Sequence, residues 1–158
     1  MSTGTPIKRS PHIAELSRDH HHTLLLGWKI RQGIKLNADT SRISAYAVHF
    51  YKNHIEQHFD EEETLLFQGL PEGDELKERA LSEHHSLRSL FTSLSTKSDY
   101  EKLTLIADLL DQHIRFEERV LFPHIERTLP LEELEKVGQQ LAAATHAEDV
   151  WKDEFWKN

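Results

Sequence analysis

One phrase of this chain is written twice. His58-Phe59-Asp60-Glu61-Glu62-Glu63-Thr64-Leu65-Leu66-Phe67 aligns with His113-Ile114-Arg115-Phe116-Glu117-Glu118-Arg119-Val120-Leu121-Phe122, pairing His58 with His113, Glu62 with Glu117, Glu63 with Glu118 and Leu-Phe with Leu-Phe. On a helix, residues four apart project from one face, one turn apart. Each copy therefore delivers an imidazole and a carboxylate to the same side. Two such helices with matching apolar frames imply a shared centre that the rest of the chain must hold.

The remaining sequence supplies the other walls. Ser10-Pro11 offers a cap and a first helical residue, and Ile13, Leu16, His20, Leu24, Gly27, Ile30 and Ile34 recur at helical spacing. That predicts a first helix over residues 11–36, ended by Asn37-Ala38-Asp39-Thr40-Ser41. A second helix carries Val48, Tyr51, Ile55, His58, Glu62 and Leu65 inward and stops near Gln68, before the Gly69–Asp74 turn. A third begins near Asp74, with Leu76, Ala80, His84, Leu87, Phe91 and Leu94 on its apolar face. A fourth, capped by Ser98, turns Leu103, Ile106, Leu110, His113, Glu117 and Val120 inward until Pro123 ends or kinks it. A short helix after Pro130 holds Leu131, Leu134, Val137 and Leu141, and the aromatic tail with Trp151, Phe155 and Trp156 packs back on the bundle. The expected architecture is all-α: an up-down-up-down four-helix bundle over 11–127 with an additional short C-terminal helix and tail in 128–158. Residues 1–10 are expected to be flexible.

A height comparison locates the centre. At about 1.5 Å rise per residue, His20 stands about 14 Å above Pro11. His58, ten residues before Gln68, His84, ten after Asp74, and His113, ten before Pro123, each stand about 15 Å above the same end of the bundle. Four inward histidines, one per helix, thus fall on one level, with Glu62 and Glu117 one turn lower. Imidazole and carboxylate donors without thiolate suit iron, manganese or zinc, and bundle cores host paired metals. The expected ligands are His20, His58, Glu62, His84, His113 and Glu117. The expected cofactor is two non-haem iron ions, with zinc and manganese also compatible with the donors. His21 and His85 stay open as alternatives to His20 and His84, and His54 and Glu61 as further ligands. Tyr46 and Tyr51 are taken as core, Glu63 and Glu118 as solvated, and His12, His49, His124 and His146 as surface residues.

Composition removes other classes. No cysteine is present, which excludes disulfides, thiolate sites and thiol catalysis. A net charge of −8 argues against nucleic acid. There is neither a long apolar run nor a signal-peptide core, so a cytoplasmic protein with no membrane span is expected.

The quoted frames, with Leu16-Ser17-Arg18-Asp19-His20 and Leu81-Ser82-Glu83-His84, resemble the hemerythrin-like, or HHE cation-binding, domain family. The resemblance implies a carboxylate-bridged, non-haem di-iron centre in a four-helix bundle that meets dioxygen, nitric oxide or iron. Oxygen carriers in that family use a further helix-3 histidine; four residues either side of His84 this chain has Ala80 and Arg88. Its fourth-helix carboxylate, Glu117, follows His113 by four residues and not five. These departures point away from reversible oxygen carriage. The expected partner is a small diatomic molecule or peroxide, bound by a sensing module or consumed by a small di-iron enzyme.

Overall fold

A computed structural model describes residues 8–144 and 150–158. His146 lies outside them, as do residues 1–7 of the stretch expected to be flexible. The described residues form five helices and no strand. Helix α1 is Ala14–Lys35. Helix α2, residues 40–69, is one rod built from Thr40–Phe50, a π turn Tyr51–Ile55, Glu56–Glu61, a second π turn Glu62–Leu66 and a closing 3-10 turn Phe67–Gly69. Helix α3 is Glu75–Ser93. Helix α4, residues 100–128, runs as Tyr100–Phe116, a π turn Glu117–Leu121, and Phe122–Thr128. Helix α5 is Leu131–Ala143. None of these helices is long and apolar enough to cross a membrane.

Local chemistry sets the helix ends. Asn37 takes a left-handed φ of 59°, and Ala38 N–H returns to the Gly33 carbonyl at 2.9 Å, which closes α1. Asp74 caps α3 by accepting from Leu76 and Lys77 N–H, both at 3.0 Å. Helix α4 is capped by Asp99, which accepts from Lys102 N–H at 2.7 Å. Ser98, the expected cap, instead bonds Ser44 and the Thr40 carbonyl. Helix α1 starts three residues later than Pro11, because residues 11–13 form a turn that donates from Ile13 N–H to Ser10.

Cross-links show that every neighbouring pair of the first four helices is antiparallel. Going up α1, Ser17 meets Glu118 and Arg31 meets Asp108 on α4, while Asp19 meets His58 and Lys29 meets Tyr46 on α2. Going up α3, His84 meets Glu63 and Arg88 meets Asp60, while His84 meets His113 and Lys102 reaches Ser93. This is the up-down-up-down order.

The core is split in two. One cluster, with Leu26, Ile30, Tyr46, Ile55, Leu87, Phe91, Ile106 and Leu110, fills the upper half and buries Phe155 of the tail. The other, with Leu16, Leu66, Phe67, Ala80, Leu121 and Phe122, fills the floor and is closed by Leu134, Val137 and Leu141 of α5. Between them lies a polar layer.

Three stripes differ from the expected ones. Val120, expected inside, is 42% exposed, and Leu121 is fully buried in its place. The π turn at Glu117–Leu121 adds one residue to that turn, so the inward face shifts by one position. The same shift in α2 leaves Leu65 half-buried and puts Leu66 in the core. In α1 the buried stripe follows Leu16, His20, Thr23, Gly27 and Ile30, which leaves Leu24 outside at 42% exposure. Pro123 does not end α4, since it sits in the first turn of Phe122–Thr128, where its missing N–H is tolerated.

Candidate metal centre

The polar layer contains the six side chains read from the sequence. His20 on α1, His58 and Glu62 on α2, His84 on α3, and His113 and Glu117 on α4 are all buried, with both glutamates fully so. The α-helical stretch between the two π turns of α2 carries His58, and the second turn begins at Glu62 itself. In α4 the π turn begins at Glu117. Single-turn π segments inside α-helices are frequent at functional sites.

Their Nε2 atoms converge on the two carboxylates. Glu117 Oε1 is 2.8 Å from His20 Nε2, while its Oε2 is 3.1 Å from His113 Nε2 and 3.3 Å from His84 Nε2. Glu62 Oε2 is 3.2 Å from His58 Nε2 and 3.8 Å from His20 Nε2, and its Oε1 is 3.1 Å from His84 Nε2. Each glutamate thus turns one oxygen to the α1/α2 side and the other to the α3/α4 side. Two groups of donors follow, His20/His58/Glu62/Glu117 and Glu62/His84/His113/Glu117, each with one ligand atom per residue within 4.8 Å of the others. Both groups share the same two glutamates.

The outward nitrogens are held as regularly. Nδ1 of His20 bonds Glu118 at 2.6 Å, that of His58 bonds Asp19 at 3.1 Å, that of His84 bonds Glu63 at 2.6 Å, and that of His113 bonds Glu83 at 2.7 Å. A carboxylate on Nδ1 fixes the ring orientation, and with a proton on Nδ1 the Nε2 lone pair faces the centre. Glu63 and Glu118 are therefore part of the site and not members of a solvated face. Asp19 and Glu83, directly before His20 and His84, were not singled out from the sequence. Their signal was an acid at matching places in the two halves: Asp19-His20 beside Glu83-His84, and a second glutamate after Glu62 and after Glu117.

Electrostatics follow from this packing. Burial alone lowers an imidazole's pKa, but here the carboxylates outweigh it. Bonds to Glu117 and Glu118 raise His20. The Glu62 charge and the Asp19 bond push His58 to about 10. Glu117, Glu62 and Glu63 push His84 to about 11, and Glu117 with Glu83 pushes His113 to about 9. Burial would raise Glu117, yet the charge of His113 and the bonds from His113, His20 and His84 hold it well below the usual carboxylate range. Such a cluster is built to balance positive charge.

The residues fit a metal cation. Both Glu62 oxygens and His58 Nε2 are buried without a hydrogen bond. Groups of this kind are rare in native cores and point to a bound ion or a functional site. All six donors are types that divalent metals take, and thiolate is absent.

The other candidates fall outside both groups. His21, His22 and His85 are exposed. His54 is half-buried, with its ring 4.8 Å from that of Phe50. Glu61 is buried and accepts from Gln57 at 3.4 Å. Tyr46 and Tyr51 lie in the upper core. His124, read as a surface residue, ties α4 to the α3 cap through Asp74 at 2.7 Å.

Comparison with known proteins agrees with this geometry. No curated protein and no solved structure matches the chain significantly. The family model for the hemerythrin HHE cation-binding domain matches residues 12–125, which span all six donors and all four carboxylates behind them. With that match over most of its length, the chain belongs to the hemerythrin HHE cation-binding domain family.

Proposed function

We propose that this protein holds two non-haem iron ions, bridged by Glu62 and Glu117, and uses them to bind or sense dioxygen, nitric oxide or iron. The observation that carries the reading is the sharing of both glutamates between two groups of four donors. His20 and His58 cap one ion, and His84 and His113 the other. With four donors from the chain at each ion, coordination positions remain for a small molecule. Bound iron supplies redox-active binding of diatomic molecules, which no side chain in this core offers. The chain's own part is to fix the imidazoles through Asp19, Glu63, Glu83 and Glu118, to bring two negative charges between the metals, and to hold the centre between two apolar layers that limit water.

Metal analysis of protein loaded with iron tests this. Two irons per chain are expected, with near-ultraviolet or visible charge-transfer absorption that changes on exposure to air or nitric oxide. Glu117→Ala should stay helical and hold at most one metal. Two irons with an unchanged spectrum in that variant would refute the bridging role. Zinc alone, with no spectral response, would refute the iron reading. Consumption of peroxide or nitric oxide over many turnovers, in place of stoichiometric uptake, would make the protein a small di-iron enzyme.

A further inference from the structure

The carboxylates behind the histidines are themselves gripped. On α3, Arg88 follows His84 by four residues. Its Nη1 donates to Glu63 Oε2 at 2.8 Å and its Nη2 to Glu63 Oε1 at 3.3 Å, while Glu63 holds His84 Nδ1. The guanidinium also lies over the Phe59 ring, 5.3 Å from its centroid, and that ring stacks on His84 at 3.9 Å. Arginine, carboxylate, imidazole and phenyl form a closed unit.

In the other half of the repeat, the position four residues after His20 is Leu24, which is exposed and has no charge to offer. Yet the same unit exists there. Arg9, from the segment before α1, donates Nη2 to Glu118 Oε1 at 3.2 Å, and Glu118 holds His20 Nδ1. Arg9 lies 5.3 Å from the centroid of Phe122, the ring stacked on His20 at 5.3 Å. Its side chain is only 7% exposed, against 29% for Arg88.

A backbone feature also aims Arg9. In the π turn, Phe122 N–H bonds the Glu117 carbonyl. The next donor in that register would be residue 123, but Pro123 has no N–H. The Glu118 carbonyl is left for Arg9 Nη2, which reaches it at 2.6 Å. Arg9 Nη1 and Ser10 N–H then both hold Glu126, at 2.8 Å and 2.5 Å. Thus Arg9 and Ser10, at the end of the stretch expected to be flexible, are tied to α4.

We propose that Arg9 is a positioning residue of the metal centre: the segment before α1 supplies to His20 the grip that α3 supplies to His84 through Arg88. The proposal rests on the dinuclear reading above. It makes the leading segment part of one metal's surroundings and not of the other's. Loss of a carboxylate directly bonded to a ligand histidine weakens metal binding by about 10–100-fold. One step further out, roughly a three- to tenfold effect is expected.

The test uses the full chain loaded anaerobically with iron(II) and chased with excess ferrous chelator. Arg9→Met should release one iron roughly three to ten times faster and the other at the wild-type rate. Arg9→Lys should fall between, and Arg88→Met should accelerate one iron while the double variant accelerates both. Unchanged or slowed release in Arg9→Met overturns the proposal, because the arginine's charge would then only repel the cation. Equal acceleration of both irons also overturns it, since that marks general loosening. A metal-free measurement separates the two readings. The Nδ1 proton of His20 should be visible by NMR in the wild type and lost in Arg9→Met, with that of His84 kept. If the wild type takes up no iron, the dinuclear reading fails and this proton alone decides, its persistence in Arg9→Met overturning the role of Arg9.

Discussion

The docking of the C-terminal tail makes a sharp prediction at Gly33. A Cβ added there would lie 2.7 and 2.8 Å from ring atoms of Phe155, and 3.0 Å from Ile43 Cδ1. The isoleucine methyl can move, but the ring is 2% exposed and wedged against Tyr46 and Trp156 at centroid distances of 5.8 and 5.0 Å. Gly33→Ala must therefore expel Phe155. Losing the burial of one phenylalanine costs about 2–3 kcal/mol, while alanine in place of a helical glycine returns about 0.5–1 kcal/mol. The net loss is about 2 kcal/mol, a fall in Tm of roughly 4–8 °C at this chain length. Phe155→Ala alone should cost about 3 kcal/mol. In that background the clash is gone, so Gly33→Ala should raise Tm by roughly 1–4 °C. Thermal unfolding followed by circular dichroism, with a chelator present so that metal does not contribute, gives all four corners of this cycle. If Gly33→Ala destabilises equally with and without Phe155, the tail does not press on α1 and the reasoning is wrong.

Other tests reach other parts of the molecule. Asp74→Ala removes the α3 cap and the bond to His124, and should cost about 1–2 kcal/mol in urea unfolding at neutral pH. Burial would raise the Asp74 pKa, but His124 and the two backbone N–H groups lower it from 3.8. Its stabilisation is therefore full above that value and lost as pH falls through the lower folded value; a wild-type advantage that persists unchanged in strong acid would contradict the assignment. Deleting Val120, an exposed residue of the α4 π turn, should restore plain α register with Leu121 and Phe122 still facing inward. The expected product is a folded protein with weakened metal binding, and unchanged metal affinity would show that the π turn does not place Glu117.

The centre was legible because its histidines occupy apolar stripes. His20, His58, His84 and His113 stand where a leucine would otherwise be, so periodicity put them inside and their distances from the helix ends put them on one level. Glu62 and Glu117 followed from the repeat. The π turns left no such mark: Leu65-Leu66 and Val120-Leu121 offer two adjacent apolar residues each, and either fits an α-helical stripe. Only packing against the floor cluster selects Leu66 and Leu121. The outer carboxylates were obscured for a different reason. Glu63, Glu83 and Glu118 are only partly buried, as surface acids are, and what distinguishes them is the imidazole of a neighbouring helix. Arg9 could not be read at all, since its target lies more than a hundred residues away on α4.

These features together explain how a small bundle tolerates six ionisable groups at its centre. Buried charges weaken a fold unless each is matched, and replacing them with apolar side chains is often neutral or stabilising. Here stability comes from the two apolar clusters above and below, and the layer between them is paired except at the Glu62 oxygens and His58 Nε2, the atoms that face the candidate metal positions. Each imidazole has an acid on either side, Arg79, Arg88 and Arg9 brace three of the outer acids, and the π turns fall where the inward carboxylates need re-aiming. Two of the three departures from regular helix, those beginning at Glu62 and Glu117, thus coincide with the departure from an apolar core, as expected where function and not packing dictates the residues. In the metal-free chain the neighbouring carboxylates raise the imidazoles and so favour their protonated form. A bound cation must displace those protons, so affinity for metal is tied to pH by the same contacts that keep the core closed without it.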